Sequence, residues 1–228
     1  MRLRPTVFCS ALVLFAACSS TTATKPVPRP SASPSAIALP GGWTLRSDRP
    51  QGYSLALPSG WDYVVRDSRS YTAELQAVSR NSPELAGYFK QSLSADAQVR
   101  FIAADSSSLL SGFAANVHVM TSDLGPLGSA PSLKDLADAK VKLLSGQASV
   151  ARPVKRAPDR LSGQPAVRLD YSLAGSTSPM VRSYLVVVQR GGRGYEYELT
   201  MGALPDAAAT RFATLGRFFT LFPPAPAQ

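Results

Sequence analysis

Residues 51–65 read QGYSLALPSGWDYVV, and the fold prediction starts from this stretch. In YSLALP the alternation places Tyr53, Leu55 and Leu57 on one face, as in a half-buried strand. WDYVV alternates in the same way, and the Pro-Ser-Gly between the two segments is typical of a tight turn. The stretch therefore predicts a β-hairpin with Trp61 at its corner.

Trp61 is the candidate binding residue of this stretch. A tryptophan beside a turn can stack against a ligand or a protein partner, where tryptophan contributes strongly to affinity. Tryptophan is also highly buried on average, and this favours a packing role at the corner of the sheet. We expect Trp61 mainly to stabilise the fold, with ligand contact as the alternative. Trp43 has the same two interpretations.

Two helices are predicted in the first two thirds of the chain. NSPELAGYFKQSL at 81–93 has Ser82 at the N-cap and Pro83 at the first helical position. SLKDLADAKVKLLSG at 132–146 begins with a capping-box pattern, Ser132 followed three residues later by Asp135. In both segments the apolar residues recur at helical spacing, so each helix is expected to bury one side.

The rest of the chain is rich in strand patterns and ends in a helical one. Strands are predicted at VRFIAAD (99–105), ANVHVMTSD (115–123), 150–155, AVRLDYSLA (166–174), VRSYLVVVQ (181–189) and YEYELTM (195–201). LPDAAATRFATLGRFFTLF at 204–222 predicts a long final helix, because Phe212, Leu215, Phe219 and Phe222 recur at helical spacing. This order of elements predicts an α+β domain, an antiparallel sheet with helices packed on its faces.

Three segments carry a resemblance to a known fold. GYSLALPSGW at 52–61, LKDLADAKVKLL at 133–144 and YEYELTM with FATLGRFFTLF near the end resemble the PsbP-like fold. This fold occurs in the photosystem protein PsbP and in bacterial lipoproteins of the LpqN type. The resemblance implies an α/β/α sandwich, with a central antiparallel sheet and helices on both faces. It also implies a protein that binds partners, since the family has no shared catalytic centre.

The N-terminus predicts export and lipid attachment. Arg2 and Arg4 precede an apolar run at 7–17 that is too short to span a bilayer, and this layout is that of an export signal. The sequence Phe-Ala-Ala-Cys at 15–18 resembles the bacterial lipobox, in which the cysteine is acylated before cleavage. Residues 1–17 are therefore predicted to be a lipoprotein signal peptide, with Cys18 as the lipidation site. The alternative is ordinary cleavage near Ala17, which would leave Cys18 as a free thiol.

Composition divides the remainder into a tether and one domain. Residues 18–40 are rich in Pro, Ser, Thr and Ala and bury too little apolar surface to fold, so they predict a disordered tether. Residues 41–228 are long enough for one domain with a full core. Of the formal net charge of +9, the four basic residues before position 41 account for four. The remaining charge suits an anionic membrane or wall polymer, and it is too small and scattered to indicate nucleic-acid binding.

The residues that carry catalytic or metal chemistry are few. His118 is the only histidine, and the only cysteines are Cys9 in the signal and Cys18. Neither a Ser-His-Asp arrangement nor a metal site is predicted, and no cofactor is expected. Glu196 and Glu198 alternate in YEYELT, which favours an exposed polar strand face over a pair of catalytic carboxylates. The protein is therefore predicted not to be an enzyme.

One basic cluster is a candidate partner-binding surface. It comprises Arg152, Lys155, Arg156 and Arg160, with Arg168 close by in the sequence. Such a cluster could face anionic lipid, an envelope polymer or an acidic protein. The alternative is a solvated edge strand, which positive charge keeps from pairing with other chains.

These observations predict a non-catalytic binding protein held by lipid on the extracytoplasmic face of a bacterial cell membrane. Its expected partners are the membrane, through the N-terminal lipid, and a protein or envelope polymer. Two alternatives stay open: an envelope hydrolase acting on glycan or lipid, and an accessory subunit of a transport or biosynthesis complex.

Overall fold

The computed structural model of the protein describes residues 38–175 and 177–222, without the side chain of Arg152. The predicted signal peptide, Cys18 and most of the predicted tether lie outside these residues. The strands are β1 (Trp43–Asp48), β2 (Tyr53–Pro58), β3 (Asp62–Val65), β4 (Val99–Ala104), β5 (Asn116–Pro126), β6 (Val150–Leu161), β7 (Gln164–Leu173), β8 (Met180–Arg190), β9 (Arg193–Ala203) and β10 (Phe219–Leu221). The helices are α1 (Tyr71–Asn81), α2 (Pro83–Ala95), α3 (Leu133–Gly146) and α4 (Pro205–Arg217), with a short 3-10 helix at Ser106–Ser111.

The strands form two antiparallel sheets. The larger sheet has seven strands in the order β3-β4-β5-β9-β8-β7-β6, and the smaller has three in the order β1-β2-β10. Strands β8 and β9 are joined by a two-residue turn in which Gly191 and Gly192 have φ of +53° and +77°. A side chain at either position would be strained, which is why glycine suits this turn. The strands predicted from the alternating patterns are confirmed.

The predicted hairpin of β2 and β3 is wrong. Both strands exist, but β2 pairs with β1 and β10 whereas β3 pairs with β4, so they belong to different sheets. The turn between them closes with a hydrogen bond from the Trp61 amide to the Pro58 carbonyl, and Gly60 adopts φ of +89°. The first five residues of β2 are all buried, so this strand needs cover on both of its faces. A simple hairpin would have left one face in water.

The final helix is shorter than predicted. Helix α4 ends at Arg217, and Phe219–Leu221 forms β10 against β2. Phe219 is 1% exposed, and its ring stacks on that of Tyr53 with the centroids 6.0 Å apart. The helical spacing correctly indicated that Phe212 and Phe219 are buried. However, the open edge of β2 has backbone groups that only another extended segment can satisfy.

Helices α2 and α3 are confirmed together with their N-caps. The Ser82 side chain accepts a hydrogen bond from the Leu85 amide, and Ser132 and Asp135 form the complete capping box. Helix α1 was not predicted, because its sequence is mostly polar and it buries only Val78 completely. It is positioned by packing beside α2 and β3 rather than by a strong apolar stripe.

The two faces of the large sheet are covered differently. One face packs against α4 and the small sheet in the largest core, which includes Leu55, Leu199 and Phe212. The other face carries α1 and α2 over β4 at one end and α3 over β7 and β8 at the other. The predicted α+β sandwich, with helices on both faces of an antiparallel sheet, is confirmed. Leu39–Gln228 forms a compact unit of its own.

Within the described residues, no helix combines the length and apolar character needed to cross a membrane.

Candidate functional site

The candidate site lies in the middle of the large-sheet face that carries α1, α2 and α3. One cross-strand row runs over this face through the paired residues Ile102, His118, Thr200, Ser183 and Leu169. Ile102 lies in the core beneath α2, and Leu169 lies in the core beneath α3. The three residues between them are polar. Two clefts occupy this middle region and lie end to end along β5 and β9.

The larger of the two has a volume of about 540 Å³ and is named the apolar cleft. Its walls come from α2, the loop between β4 and β5, and strands β5, β7, β8 and β9. The apolar side chains that line it are Leu85, Leu109, Phe113, Ala114, Leu173 and Val181. Gly202 allows Phe113 and Asn116 to pack closely against the floor, since a Cβ there would lie 3.0 Å from Phe113 and 3.1 Å from Asn116. This volume and mostly apolar lining are those of a small-molecule site.

Tyr88 and His118 form the polar centre of the apolar cleft. The Tyr88 hydroxyl and Nε2 of His118 share a hydrogen bond of 2.9 Å. Burial lowers the pKa of His118 to about 4, so the imidazole is neutral at neutral pH. Burial also raises the pKa of Tyr88, so its hydroxyl stays protonated. The cleft therefore presents uncharged polar groups at this point.

The smaller cleft, of about 240 Å³, is named the glutamate cleft because Glu196 and Glu198 line it. The Lys140 ammonium on α3 donates to Glu198 Oε2 at 2.7 Å, and Thr200 Oγ1 donates to Glu198 Oε1 at 2.9 Å. Thr200 in turn shares a 2.8 Å hydrogen bond with Ser183. Glu198 is only 5% exposed, so the expected exposed strand face is wrong for this residue. Burial here is possible because the carboxylate is fully paired.

Glu196 is the second glutamate that lines this cleft. It is half-buried, and its pKa is raised by burial and by the neighbouring Glu198 charge, with Lys140 opposing. A hydrolase with two carboxylates needs both groups free to exchange protons or attack substrate. Of the two glutamates, only Glu196 meets this description, since Glu198 is held by Lys140 and Thr200. Asp96, which also lines the cleft, accepts a hydrogen bond from the Gln98 amide. The glutamate cleft is thus a poor match to that chemistry.

A third cleft is lined in part by the turn at 58–61, which joins β2 to β3. It has a volume of about 470 Å³ and is named the tryptophan cleft, because Trp43 and Trp61 both line it. The guanidinium of Arg211 on α4 lies 5.7 Å from the centre of the Trp61 ring and pairs with Asp105 at 3.2 Å. Trp61 is half-buried and packs against the largest core. Trp61 thus packs beside the turn between β2 and β3 and also lines a cleft, and its main role, packing or ligand contact, stays a prediction.

Neither a protein-family model nor a curated protein sequence matches the chain. Among solved structures, the cyanobacterial PsbP protein CyanoP of Synechocystis is similar over 85% of this chain and 99% of its own, with 14% identity and a TM-score of 0.51. LpqN of Mycobacterium tuberculosis, described as involved in cell envelope biogenesis, is similar over 81% of this chain and 86% of its own, with 14% identity and a TM-score of 0.50. The domain has the PsbP-like fold.

In this PsbP-like domain the basic residues whose side chains are described do not form one patch. Strand β6 is the edge of the large sheet, as the solvated-edge interpretation expects. Arg156 pairs with Asp138 on α3, while Lys155, the next residue, is exposed on the opposite face of the strand. Arg160 donates to the Gly163 carbonyl, and Arg168 pairs with Asp159 and Asp170. Arg152 lies on β6, but its side chain is not among those that the structure describes. Partner binding by these residues stays a prediction.

Several residues of the clefts were not predicted as site residues. Tyr88 and Lys140 come from helices, where their spacing indicated only burial or solvent exposure. A signal did exist in the strands, since His118 in NVHVM and Glu198 in YEYELT are ionisable residues within strand patterns. In the described ranges 38–175 and 177–222 of this PsbP-like domain, no three His, Cys, Asp or Glu side chains are grouped to hold a metal ion.

Proposed function

We propose that this protein is an extracytoplasmic lipoprotein of a bacterial cell envelope, anchored through Cys18, that binds an apolar ligand without transforming it. The apolar cleft is the observation that carries the proposal. The lipobox resemblance at 15–18 and the fold shared with LpqN, a protein involved in cell envelope biogenesis, support the envelope location. The ligand we assign to the cleft is the aliphatic portion of an envelope lipid.

The lining of the apolar cleft favours an aliphatic ligand. Its walls are formed mainly by leucine, valine, alanine and phenylalanine side chains, which gain free energy when apolar surface replaces water. At its polar centre, the Tyr88 hydroxyl and His118 Nε2 are hydrogen-bonded to each other. A charged group that entered the cleft would therefore lose hydration without gaining an ionic partner there, so only the aliphatic portion of a ligand is expected to enter. Glu84, at the mouth on α2, is exposed and stays accessible to water.

The arrangement of side chains supports binding rather than catalysis. A general base must be free to take a proton near the operating pH. The pKa of His118 is lowered to about 4 by burial, which makes it a weak base at neutral pH. Glu198 is held in its ion pair with Lys140. His118 and Glu198 each line a cleft that has the form of a binding site. His118 Nε2 and both carboxylate oxygens of Glu198 already take part in hydrogen bonds.

Filling the apolar cleft is expected to abolish binding of an aliphatic probe. Residues 39–228 would be titrated with dansyl-undecanoic acid, whose fluorescence rises in apolar surroundings. The Ala114→Trp variant places an indole in the cleft and is expected to weaken binding at least about tenfold. Ala73→Trp, at an exposed position of α1, is the matched control and should bind as the parent does. Equal binding by both variants would contradict the assignment of the cleft.

The anchor is tested separately, at Cys18. Acyl chains contribute about 0.8 kcal/mol per buried CH₂, so a diacylated Cys18 should hold the full chain in the membrane fraction. Cys18→Ser is expected to lose both the lipid mass and the membrane association, as measured by mass spectrometry of the mature N-terminus and by fractionation. Cys9→Ser changes the other cysteine, within the predicted signal, and should keep both. An unmodified Cys18 in the parent protein would refute the anchor.

A further inference from the structure

The tryptophan cleft has a chemistry different from that of the apolar cleft. It is formed by the turn at 58–61, the start of β1, the residues that follow β4, and one side of α4. Besides the two indoles, its lining includes the hydroxyl side chains of Ser59, Ser107, Thr210 and Thr214. Aromatic faces and hydroxyl groups are thus combined in one concave site of about 470 Å³. That volume lies within the range of small-molecule sites.

The charged residues of the tryptophan cleft neutralise each other. Both terminal nitrogens of Arg211 donate to Asp105 Oδ2 at 3.2 Å, and the amide and hydroxyl of Ser107 donate to Asp105 Oδ1. Asp105 is therefore fixed in place as an acceptor. A guanidinium has five N–H donors, so Arg211 retains capacity to donate to a ligand. The Asp105–Arg211 pair adds no net charge, and this favours a neutral ligand over an anion or a cation.

The two indoles provide apolar surfaces from two separate segments, the start of β1 and the turn after β2. Trp43 begins β1 and tilts against Phe218, with ring centroids 5.8 Å apart. Trp61 follows the turn, and the Arg211 guanidinium lies over its ring, 5.7 Å from the ring centre. Both tryptophans are half-buried, so each is held by packing and still borders the cleft. Rigid aromatic side chains lose little entropy on binding, which makes them effective contact surfaces.

We propose that the tryptophan cleft binds a neutral saccharide. A sugar ring presents C–H groups on its faces, which pack on the electron-rich face of an indole, and hydroxyl groups at its edge. The hydroxyls can bond to Arg211, Ser59, Thr210 and Thr214, which combine donors and acceptors. A purely apolar ligand would cover the hydroxyls of Ser59 and Thr210 without offering them a hydrogen-bond partner. A protein partner would need a broader, flatter surface than this concave site.

Intrinsic fluorescence reports directly on this site, because the chain has only two tryptophans and both line the tryptophan cleft. Residues 39–228 would be titrated with maltotriose, cellotriose and mannotriose up to about 10 mM, a range suited to weak binding. At least one of them is expected to produce a saturable shift in tryptophan emission. No saturable response to any of the three would overturn the proposal.

Two variants of α4 locate the binding. Thr214→Tyr fills the cleft and is expected to weaken binding of the responding saccharide at least about tenfold. Ala213→Tyr, at an exposed neighbouring position, should leave it unchanged. If both variants weakened binding equally, or if neither weakened it, the binding would lie elsewhere and the proposal would be overturned. The dansyl-undecanoic acid titration should be unaffected by Thr214→Tyr, so failure here is distinguishable from failure of the apolar cleft.

Discussion

Replacing Lys140 by Met is expected to lower the free energy of unfolding by about 3 kcal/mol, within the range found when one partner of a buried ion pair is removed. Lys140 is the only charged group that donates to Glu198 in the described structure, at 2.7 Å, and the Glu198 side chain is 6% exposed. Without the ammonium, the carboxylate keeps only its hydrogen bond from Thr200 and stays buried. The measurement is urea unfolding of residues 39–228 at neutral pH.

The same helix provides a control for the loss of a lysine. Lys134 pairs with Asp138 at 2.7 Å on the exposed side of α3, with 76% and 46% of the two side chains accessible. Lys134→Met is expected to cost less than about 0.5 kcal/mol, as exposed pairs usually do. Adding Glu198→Gln to Lys140→Met should recover part of the loss, since it removes the unpaired charge. Equal costs for Lys140→Met and Lys134→Met would contradict the burial of Glu198.

Replacing Phe219 by Ala is expected to lower the free energy of unfolding by about 3–5 kcal/mol, the usual cost of removing a buried phenylalanine. Phe219 is 1% exposed and lies opposite Leu55 in the pairing of β10 with β2. The cavity would open in the largest core, between Tyr53 and the residues of α4. Thermal or chemical unfolding of residues 39–228 measures the change.

The neighbouring residue gives the matched comparison. Thr220 lies on the same strand, is exposed and pairs with Ser54. Thr220→Ala should change stability by no more than about 0.5 kcal/mol, because it removes no buried contact. A small effect of Phe219→Ala, similar to that of Thr220→Ala, would mean that β10 does not close the small sheet in solution.

Local signals were sufficient for the elements whose ends are determined by neighbouring residues. Ser82 and the Ser132–Asp135 pair cap α2 and α3 with bonds to groups within three positions, so the sequence alone predicts them. The strands from β4 to β9 follow their alternating patterns, and the Gly191–Gly192 turn follows from backbone chemistry. The fold class follows from the order of these elements.

The candidate sites depend on contacts between residues far apart in the sequence. His118 meets Tyr88 across 30 positions, Glu198 meets Lys140 across 58, and Arg211 meets Asp105 across 106. Periodicity indicates which face of an element a residue occupies, and it does not identify the element packed against that face. This is why Glu198 was expected to be exposed, and why Trp61 was recognised without its partner Arg211.

By itself the sequence determined the α+β class, the capped helices, the strands of the large sheet and the prediction of an exported, lipid-anchored chain. Only the tertiary structure decided that β2 pairs with β1 and β10 rather than with β3, that Phe219 lies in a strand, and that the apolar, glutamate and tryptophan clefts form. The physical reason is the same in each case. A strand edge or a buried charge must be satisfied by some partner, and which distant segment supplies it depends on how the whole chain packs.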